Sequence, residues 1–384
     1  MAKKPEMHKL KKDPELFYYF NTKEEKRFAY RHRYYDTLSN RREKQKQGFK
    51  SENEAYRSLL EVRTQIVNGD VKQVTNANLT ISEWLDIWHE SSNHEWGITT
   101  RLQRERDIKK HFKPLLGNYK IAELDKSTYK IKFIQKLLKT MKASSVKQLH
   151  KIFKIAVNAA VDAEIITRNR FTNITFEDDS VGDNFFNAQE LVEFLRICKK
   201  VETITNYTMG MYLAYTGVRK GEACGLKWKD IQDDICSINC TKDDNGVRPP
   251  KTKNSFRSIV MDQTLVKQMN LYKKWCRETR VKFGLPFNEN TYVFINGTSG
   301  LEINSTMINN SMKRIIEKYN LKEVTPHGLR HTHATILMKE RIPIKTIAER
   351  LGNTPEMINN VYGHNLKELE LEAVQVFGDA LKII

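Results

Sequence analysis

The sequence has few cysteines and no long apolar run. Its 384 residues include five cysteines without a CxxC pair, an odd number that argues against both a disulfide framework and a zinc site. No apolar stretch approaches the roughly 18 to 20 residues of a bilayer-spanning helix, and no charged-then-apolar secretory leader opens the chain. Internal repeats and low-complexity tracts are also absent. We therefore expect a cytoplasmic protein without membrane contact, built from two or three domains.

Positive charge is in excess and unevenly distributed. Lys and Arg number 65 against 47 Asp and Glu, a formal net charge of +18. Residues 26–50 hold nine basic against two acidic side chains, and residues 101–160 hold sixteen against four. Two separate basic surfaces are typical of a protein that holds a polyanion in more than one place. Solvated helix faces without a ligand are the alternative.

The first 75 residues mix aromatic and basic side chains. "FYYF" (17–20) and "KRFAYRHRYY" (26–35) alternate as strands do, and a helix begins after "KQKQGFKS", with Ser51 as cap and Glu54 as its capping-box partner. This pattern predicts a small module of β-sheet and one helix at residues 1–75. Its basic strands could enter a DNA groove, although an ordinary half-buried sheet would have the same pattern.

The next hundred residues have helical periodicity. After a polar linker at 71–80, Thr80 and Glu83 form a second capping signal, and apolar residues then recur at helical spacing with Lys and Arg on the remaining faces. We predict an all-helical domain with a basic face at residues 76–178. The acidic stretch "FEDDSVGDN" (176–184) marks a second linker.

Residues 179–384 form the last predicted domain. Most of it has helical periodicity, and "ICSINC" and "SFRSIVM" read as two strands joined by the turn-rich "TKDDNGVRPPKTKN". The whole chain is thus predicted to be a multidomain α+β protein. It would have a small sheet-plus-helix module, an all-helical domain, and a mainly helical domain with a small antiparallel sheet.

Two patches of the last domain place cations at turns. In "TGVRKGEACGLKWKDI" (216–231), Gly217 lets the chain turn into a helix beside Arg219, which could bind a phosphate bidentately, and Glu222 is placed to brace the guanidinium. In "PPKTKNSFRSIVM" (249–261), Lys251 and Lys253 lie on a hairpin tip, where a lysine can act as a general acid. A surface arginine and a solvated turn are the alternatives.

Two further patches follow towards the C-terminus. In "TPHGLRHTHATILM" (325–338), His327 and Arg330 share a face at a helix start, where an anion is favoured, while His331 and His333 point elsewhere and suit packing or capping. In "ERLGNTPEMINNVYGHN" (349–365), Tyr362 is either a core residue or a nucleophile. A phenol of pKa near 10 becomes a nucleophile only where cations favour the phenolate and a base takes its proton.

Taken together, the four patches resemble the tyrosine recombinase family, the phage-type integrases. Order, spacing and residue types match the family's pattern: an arginine in TGxRxGE, a hairpin lysine, HxLRH, and a tyrosine near the C-terminus. The resemblance covers roughly residues 185–375. "GFKSENEA" followed by a helix is similar to the arm-binding modules of integrases from Gram-positive phages and conjugative transposons, a weaker match.

The resemblance implies a role for each matching residue. Arg219 and Arg330 would clamp the scissile phosphate, Lys251 would protonate the departing 5′ oxygen, and His327 would assist proton transfer. Tyr362 would attack the phosphorus and form a 3′-phosphotyrosyl bond. Because that bond retains the energy of the phosphodiester, neither a metal nor a nucleotide cofactor would be needed.

Two positions depart from the pattern or leave a choice. The family's Lys-Thr pair favours Lys251 over Lys253 as the acid. Where many members have LGH, this chain has "LGN", so Asn353 replaces a histidine or tryptophan that contacts the phosphate. An amide can donate a hydrogen bond but cannot shuttle a proton, so we expect only a supporting role for Asn353.

The resemblance also implies partners. Residues 1–75 would bind arm-type DNA sites, 76–178 core-type sites, and 179–384 would be the catalytic domain of a homotetramer on double-stranded DNA. DNA-bending or excision factors could assist it. The apolar tail at 369–384 would pack on a neighbouring subunit or form an intramolecular helix. Two rivals remain: a type IB topoisomerase, and a DNA-binding protein without catalysis.

Overall fold

The computed structural model describes residues 6–35, 41–67, 78–177, 184–362, 374–379 and 381, without the side chains of 360–362. The chain divides into two compact units, Met1–Ser180 and Val181–Ile384. Within the described ranges, no helix has both the length and the apolar character needed to cross a bilayer. The linkers expected at 71–80 and 176–184 fall largely outside the described residues.

The N-terminal residues form the predicted sheet and helix. The strands are antiparallel and ordered as in the sequence: β1 (His8–Lys9), β2 (Leu16–Phe20), β3 (Lys26–Tyr35) and β4 (Arg41–Phe49). Helix α1 (Glu52–Val67) packs on the sheet through buried Leu59, and Ser51 Oγ accepts a hydrogen bond from the Glu54 amide (3.2 Å). Strand β4 is highly charged and has no apolar alternation, so the sequence did not indicate a strand here. It is a strand because it pairs with β3.

The next segment is all-helical, as predicted. Thr80 and Glu83 form the expected capping box. Two π-turns, at Ile108–Phe112 and Lys130–Gln135, interrupt the helical segments. The first precedes Pro114, which has no N–H to donate, and there the Lys113 amide bonds to the Ile108 carbonyl. The helices are α2 (Ile81–Ser92), α3 (Ile98–Asp107), α4 (Lys113–Leu116), α5 (Lys126–Tyr129), α6 (Lys136–Leu138) and α7 (Ala143–Asp162).

The second unit is mainly helical around one hydrophobic core. Its helices are α8 (Ala188–Val201), α9 (Ile204–Thr216), α10 (Lys220–Gly225), α11 (Gln263–Lys282), α12 (Met307–Tyr319), α13 (Pro326–Lys339), α14 (Ile344–Leu351) and α15 (Pro355–Tyr362). Helix α9 is buried along nearly its whole length and carries Tyr212 into the core. The central position of α9 fixes the turn that follows it.

Small antiparallel sheets complete the second unit. Strands β5 (Ile231–Gln232), β6 (Ile235–Ile238) and β9 (Arg257–Val260) form one sheet, in the order β5-β6-β9. The stretch between β6 and β9, predicted as turns alone, also contains a hairpin of β7 (Thr241–Asp243) and β8 (Gly246–Arg248). The predicted multidomain α+β fold class is otherwise confirmed. In the tail, residues 374–379 are helical, and the predicted packing of 369–384 lies mostly outside the described residues.

Candidate active site

The turn after α9 positions Arg219. Gly217 adopts a left-handed conformation (φ 66°), and its amide donates to the Leu213 carbonyl (3.0 Å). A Cβ at this position would lie 2.5 Å from Leu351 Cδ2 and 2.8 Å from His333 Cδ2. Glycine is therefore required by both conformation and space. The chain then enters α10 with Arg219 at its first turn.

Glu222 braces Arg219, as the sequence predicted. The Glu222 carboxylate is 3% exposed and accepts hydrogen bonds from the Arg219 amide (2.9 Å) and from Arg219 Nη1 (2.8 Å). Burial alone would raise the pKa of Glu222, but bonds and charge from Arg257 and then Arg219 outweigh it and hold the pKa below its usual value. The carboxylate is thus ionised. The Arg219 side chain remains 36% exposed, so a ligand can reach it.

Helix α13 brings Arg330 to the same turn. Thr325 caps the helix through its hydroxyl, which accepts from the Gly328 amide (3.1 Å), and Asn184 Oδ1 accepts from the Thr325 amide (2.9 Å). Arg330 is 3% exposed, and its Nη1 donates to the Gly217 carbonyl (2.9 Å). Because Gly217 lies two residues before Arg219, this bond joins the two arginine-bearing segments.

His327 lies one helical turn before Arg330 and is exposed. Desolvation by its surroundings, then the charges of His331, Arg330 and Arg219, lower the pKa of His327 to about 4. The imidazole is therefore neutral at pH 7, with one nitrogen free to accept a proton. His327 thus lies one turn of α13 from Arg330, which is itself bonded to the turn that carries Arg219.

His333 is a buried connector, which agrees with the packing role expected from the sequence. Its Nδ1 donates to the Ala214 carbonyl (2.9 Å), and its Nε2 accepts from Arg350 Nε (3.1 Å). These bonds join α13, α9 and α14. Burial and then the Arg350 charge lower the pKa of His333 to about 4. The imidazole is consequently neutral in the folded protein at pH 7.

The buried His333 predicts an acid-sensitive fold. In the unfolded chain the pKa of His333 returns to about 6.5. Between pH 6.5 and 4 the unfolded state therefore binds more protons, and the free energy of unfolding decreases as the pH is lowered. We expect His333 to account for about 3 kcal/mol of lost unfolding free energy between pH 7.5 and 4. Denaturant unfolding of wild type and His333→Gln across this range isolates the effect. Parallel curves for the two proteins would contradict it.

A cavity of about 310 Å³ adjoins Arg219. Lys251 is one of its exposed lining residues, whereas Lys253, in the short turn before β9, does not line it. Gly352, Asn353 and Met357 come from the segment that enters α15. The cavity thus brings together three of the four sequence patches.

Asn353 contacts the predicted cluster through its amide oxygen. Arg219 Nη2 donates to Asn353 Oδ1 at 2.8 Å. Because a guanidinium only donates, the amide oxygen must face it, and the amide nitrogen is left to donate elsewhere. Tyr362 is the last residue of α15, whose first turn contributes Met357 to the cavity lining. The Tyr362 side chain lies outside the described residues.

One buried residue of the cluster escaped the sequence analysis. Arg257, 6% exposed, donates to the second side of Glu222 through Nη2 (2.8 Å). In "SFRSIVM" it looks like an arginine on the exposed face of an edge strand. Its burial follows from tertiary contacts with Glu222 and with the Arg350 carbonyl. Among the described residues, no group of three or more His, Cys, Asp or Glu side chains could hold a metal ion.

Comparisons with known proteins show which family the chain resembles. The phage integrase family matches residues 184–368, and the phage integrase N-terminal SAM-like domain matches residues 80–138, together well over half of the chain. A XerC-like tyrosine recombinase of Caldanaerobacter subterraneus is 27% identical over 272 residues, 65% of this chain and 69% of that protein.

Two solved structures share the fold. The Tn1549 transposon integrase in complex with transposon right-end DNA has a TM-score of 0.66 and 21% identity, over 76% of this chain and 99% of that one. The lambda integrase tetramer bound to a Holliday junction has a TM-score of 0.59 and 16% identity, over 89% and 96%. The family matches and the recombinase relative show that this protein belongs to the phage integrase family of tyrosine recombinases.

Proposed function

We propose that this protein is a site-specific DNA recombinase that integrates or excises a mobile element or phage genome. One observation carries the proposal. Arg330, one turn of α13 after His327, bonds to the turn that carries Arg219, and Arg219 lines a cavity together with Lys251 and the start of the Tyr362 helix. Two guanidiniums, a neutral imidazole and a lysine are the groups that transfer of a phosphodiester to a tyrosine requires.

In the proposed reaction, the Tyr362 oxygen bonds to phosphorus while the bond from phosphorus to the 5′ oxygen breaks. The phenol proton passes to His327, and Lys251 gives a proton to the departing 5′ oxygen. In rejoining, the 5′-hydroxyl of another strand attacks the phosphotyrosine and the protons return. One ester replaces another in each step, so the strand is exchanged without hydrolysis and no cofactor is consumed.

The electrostatics of the site favour this sequence of steps. The buried Arg330 and the braced Arg219 are held in place before substrate arrives, so they stabilise charge on the pentavalent phosphorus without reorganising. A bound phosphodiester offsets their charge and raises the proton affinity of His327, which then serves better as a base. Lys251 is favoured over Lys253 as the acid because only Lys251 lines the cavity.

The DNA is expected to be held by three segments. We propose that residues 1–75 bind arm-type sites, 76–178 core-type sites and 179–384 the cleavage point, within a homotetramer on double-stranded DNA in the bacterial cytoplasm. The exposed basic side chains of β4 and of the helical segment support the first two assignments. The similar fold of the lambda integrase tetramer supports the assignment of the cleavage point to residues 179–384. DNA-bending or excision factors would act on this assembly.

Binding should depend steeply on salt. If the basic surfaces contact about 8 phosphates, the logarithm of the association constant should fall with the logarithm of the salt concentration at a slope of about −7. Fluorescence anisotropy of a labelled duplex between 50 and 300 mM NaCl measures the slope. A slope shallower than about −2 would contradict broad phosphate contact.

The function is tested by covalent capture. Cells that express the protein are lysed in denaturant, the protein is recovered with non-covalent DNA removed, and the attached DNA is sequenced, with Tyr362→Phe as the matched control. We expect wild type to retain DNA from a few sites and the variant to retain none. DNA scattered over the genome would indicate a topoisomerase. No attached DNA, with the sites known to be present, would indicate a DNA-binding protein without catalysis.

A further inference from the structure

Arg257 is bonded to three separate parts of the site. Its Nε donates to the Arg350 carbonyl (2.8 Å), its Nη1 to the Ser255 carbonyl (3.0 Å), and its Nη2 to Glu222 Oε2 (2.8 Å). All three guanidinium nitrogens are therefore engaged. A buried arginine that is bonded through every nitrogen holds its partners in one geometry.

The bond to Glu222 links Arg257 to Arg219. Glu222 Oε1 accepts from Arg219 Nη1 (2.8 Å) and from Arg257 Nη1 (3.3 Å), so two guanidiniums share one carboxylate. Because Arg257 satisfies the far side of the carboxylate, Glu222 stays buried and charged where it can orient Arg219. Without Arg257, a buried carboxylate would have one charged partner in place of two.

The other bonds link Arg257 to the lysine and tyrosine segments. Ser255 belongs to the turn that follows Lys251. Arg350 lies in the last turn of α14, which ends at the left-handed Gly352. A Cβ added to Gly352 would lie 2.8 Å from the Asn254 carbonyl oxygen and 3.1 Å from Arg257 Nη1. The turn before α15 therefore rests directly on Arg257 and on the lysine loop.

We propose that Arg257 is a positioning residue for strand cleavage: it fixes Arg219, the Lys251 loop and the turn before the Tyr362 helix relative to one another. It does so without contact with DNA, since it is buried beneath the three segments. The inference rests on the proposed recombinase function. It adds a residue whose role is the alignment of three catalytic groups that lie on separate elements.

The link through Glu222 predicts an altered pH profile. Among the described residues, the groups that act on Glu222 are Arg219 at the start of its own helix, Arg257 on β9 and the buried Tyr212 on α9, and Arg248 and Lys251 line the same cavity. Loss of Arg257 removes the main influence that lowers the pKa of Glu222, and burial then raises it. Glu222 would take up a proton as the pH falls and release Arg219. Cleavage by an Arg257 variant should thus decline towards acid more steeply than cleavage by wild type.

The test compares Arg257→Met and Arg257→Lys with wild type. The control is Arg280→Met, which removes a half-buried arginine that donates to two backbone carbonyls, of Pro286 and Gly300, away from the site. The substrate is a nicked duplex of the sequence most enriched in the covalent capture. Formation of the covalent complex at saturating protein is followed between pH 5.5 and 8.5, beside DNA affinity and thermal unfolding.

We expect Arg257→Met to cleave about 100-fold more slowly at pH 7.5, with affinity within about threefold, since misalignment by about 1 Å costs this much. The loss should deepen below pH 6.5, and the added Glu222→Gln change should remove that acid limb. Arg257→Lys should recover to within about tenfold of wild type, and it provides the comparison if the methionine variant unfolds.

Two results would overturn the inference. One is cleavage by both variants at the rate of Arg280→Met with an unchanged pH profile. The other is a loss of cleavage matched by an equal loss of DNA affinity and folding, which would make Arg257 a structural residue only. If wild type itself forms no covalent complex, the proposed function fails instead, so the two failures are distinguishable.

Discussion

Tyr362→Phe should abolish covalent attachment to DNA and leave core-site binding within about threefold of wild type. The change removes one oxygen, and in the proposed reaction that oxygen forms the new bond to phosphorus. Loss of a nucleophile from an otherwise intact site typically costs at least about 10⁴-fold in rate. Gel analysis of a nicked substrate after denaturation measures the covalent complex, and anisotropy measures binding.

A second tyrosine provides the control for this prediction. Tyr319, the partly exposed last residue of α12, has no role in the proposed chemistry, so Tyr319→Phe should form the complex at the wild-type rate. Covalent complex formed by Tyr362→Phe would show that another residue attacks the phosphate. Loss of the complex in both variants would point to damage to the fold.

Arg330→Ala should lower the rate of cleavage about 1,000-fold. Arg330 is held beneath the turn that carries Arg219, and a buried guanidinium is worth more to a developing phosphorane than one in water. Arg330→Lys keeps the charge but loses the planar pair of donors, so we expect it to recover only part of the rate. Single-turnover cleavage at saturating protein separates this effect from weaker DNA binding.

The matched control is Arg314→Ala, which removes an exposed arginine that pairs with Glu202 outside the site. It should cleave at the wild-type rate. Because Arg330→Ala also leaves the Gly217 carbonyl without its bond, thermal unfolding must be measured alongside. Cleavage by folded Arg330→Ala within about fivefold of wild type would contradict the proposed role.

Local sequence chemistry predicted most of what positions the site. Capping residues such as Ser51 and Thr80 mark helix starts because they satisfy amides that the helix leaves open, and both act as predicted. The bracing of Arg219 by Glu222 follows from a three-residue spacing on one helix. Each of these features depends on residues that are close in sequence.

Features that depend on distant partners were not predictable. Arg257 is buried because Glu222 and Arg350 come to meet it from other elements, and nothing in "SFRSIVM" records that. Strand β4 forms by pairing with β3 although its sequence lacks apolar alternation. For Asn353, the amide chemistry was foreseen, but its bond to Arg219 required the tertiary structure.

Peptide mapping of the captured complex tests the central claim most directly. The protein is recovered with its attached DNA, the DNA is digested to a short remnant and the protein to peptides, and mass spectrometry locates the remnant. We predict a 3′-phosphate-linked nucleotide on Tyr362 and on no other residue. A nucleotide on a different side chain, or a linkage through a 5′ phosphate, would contradict the proposed mechanism.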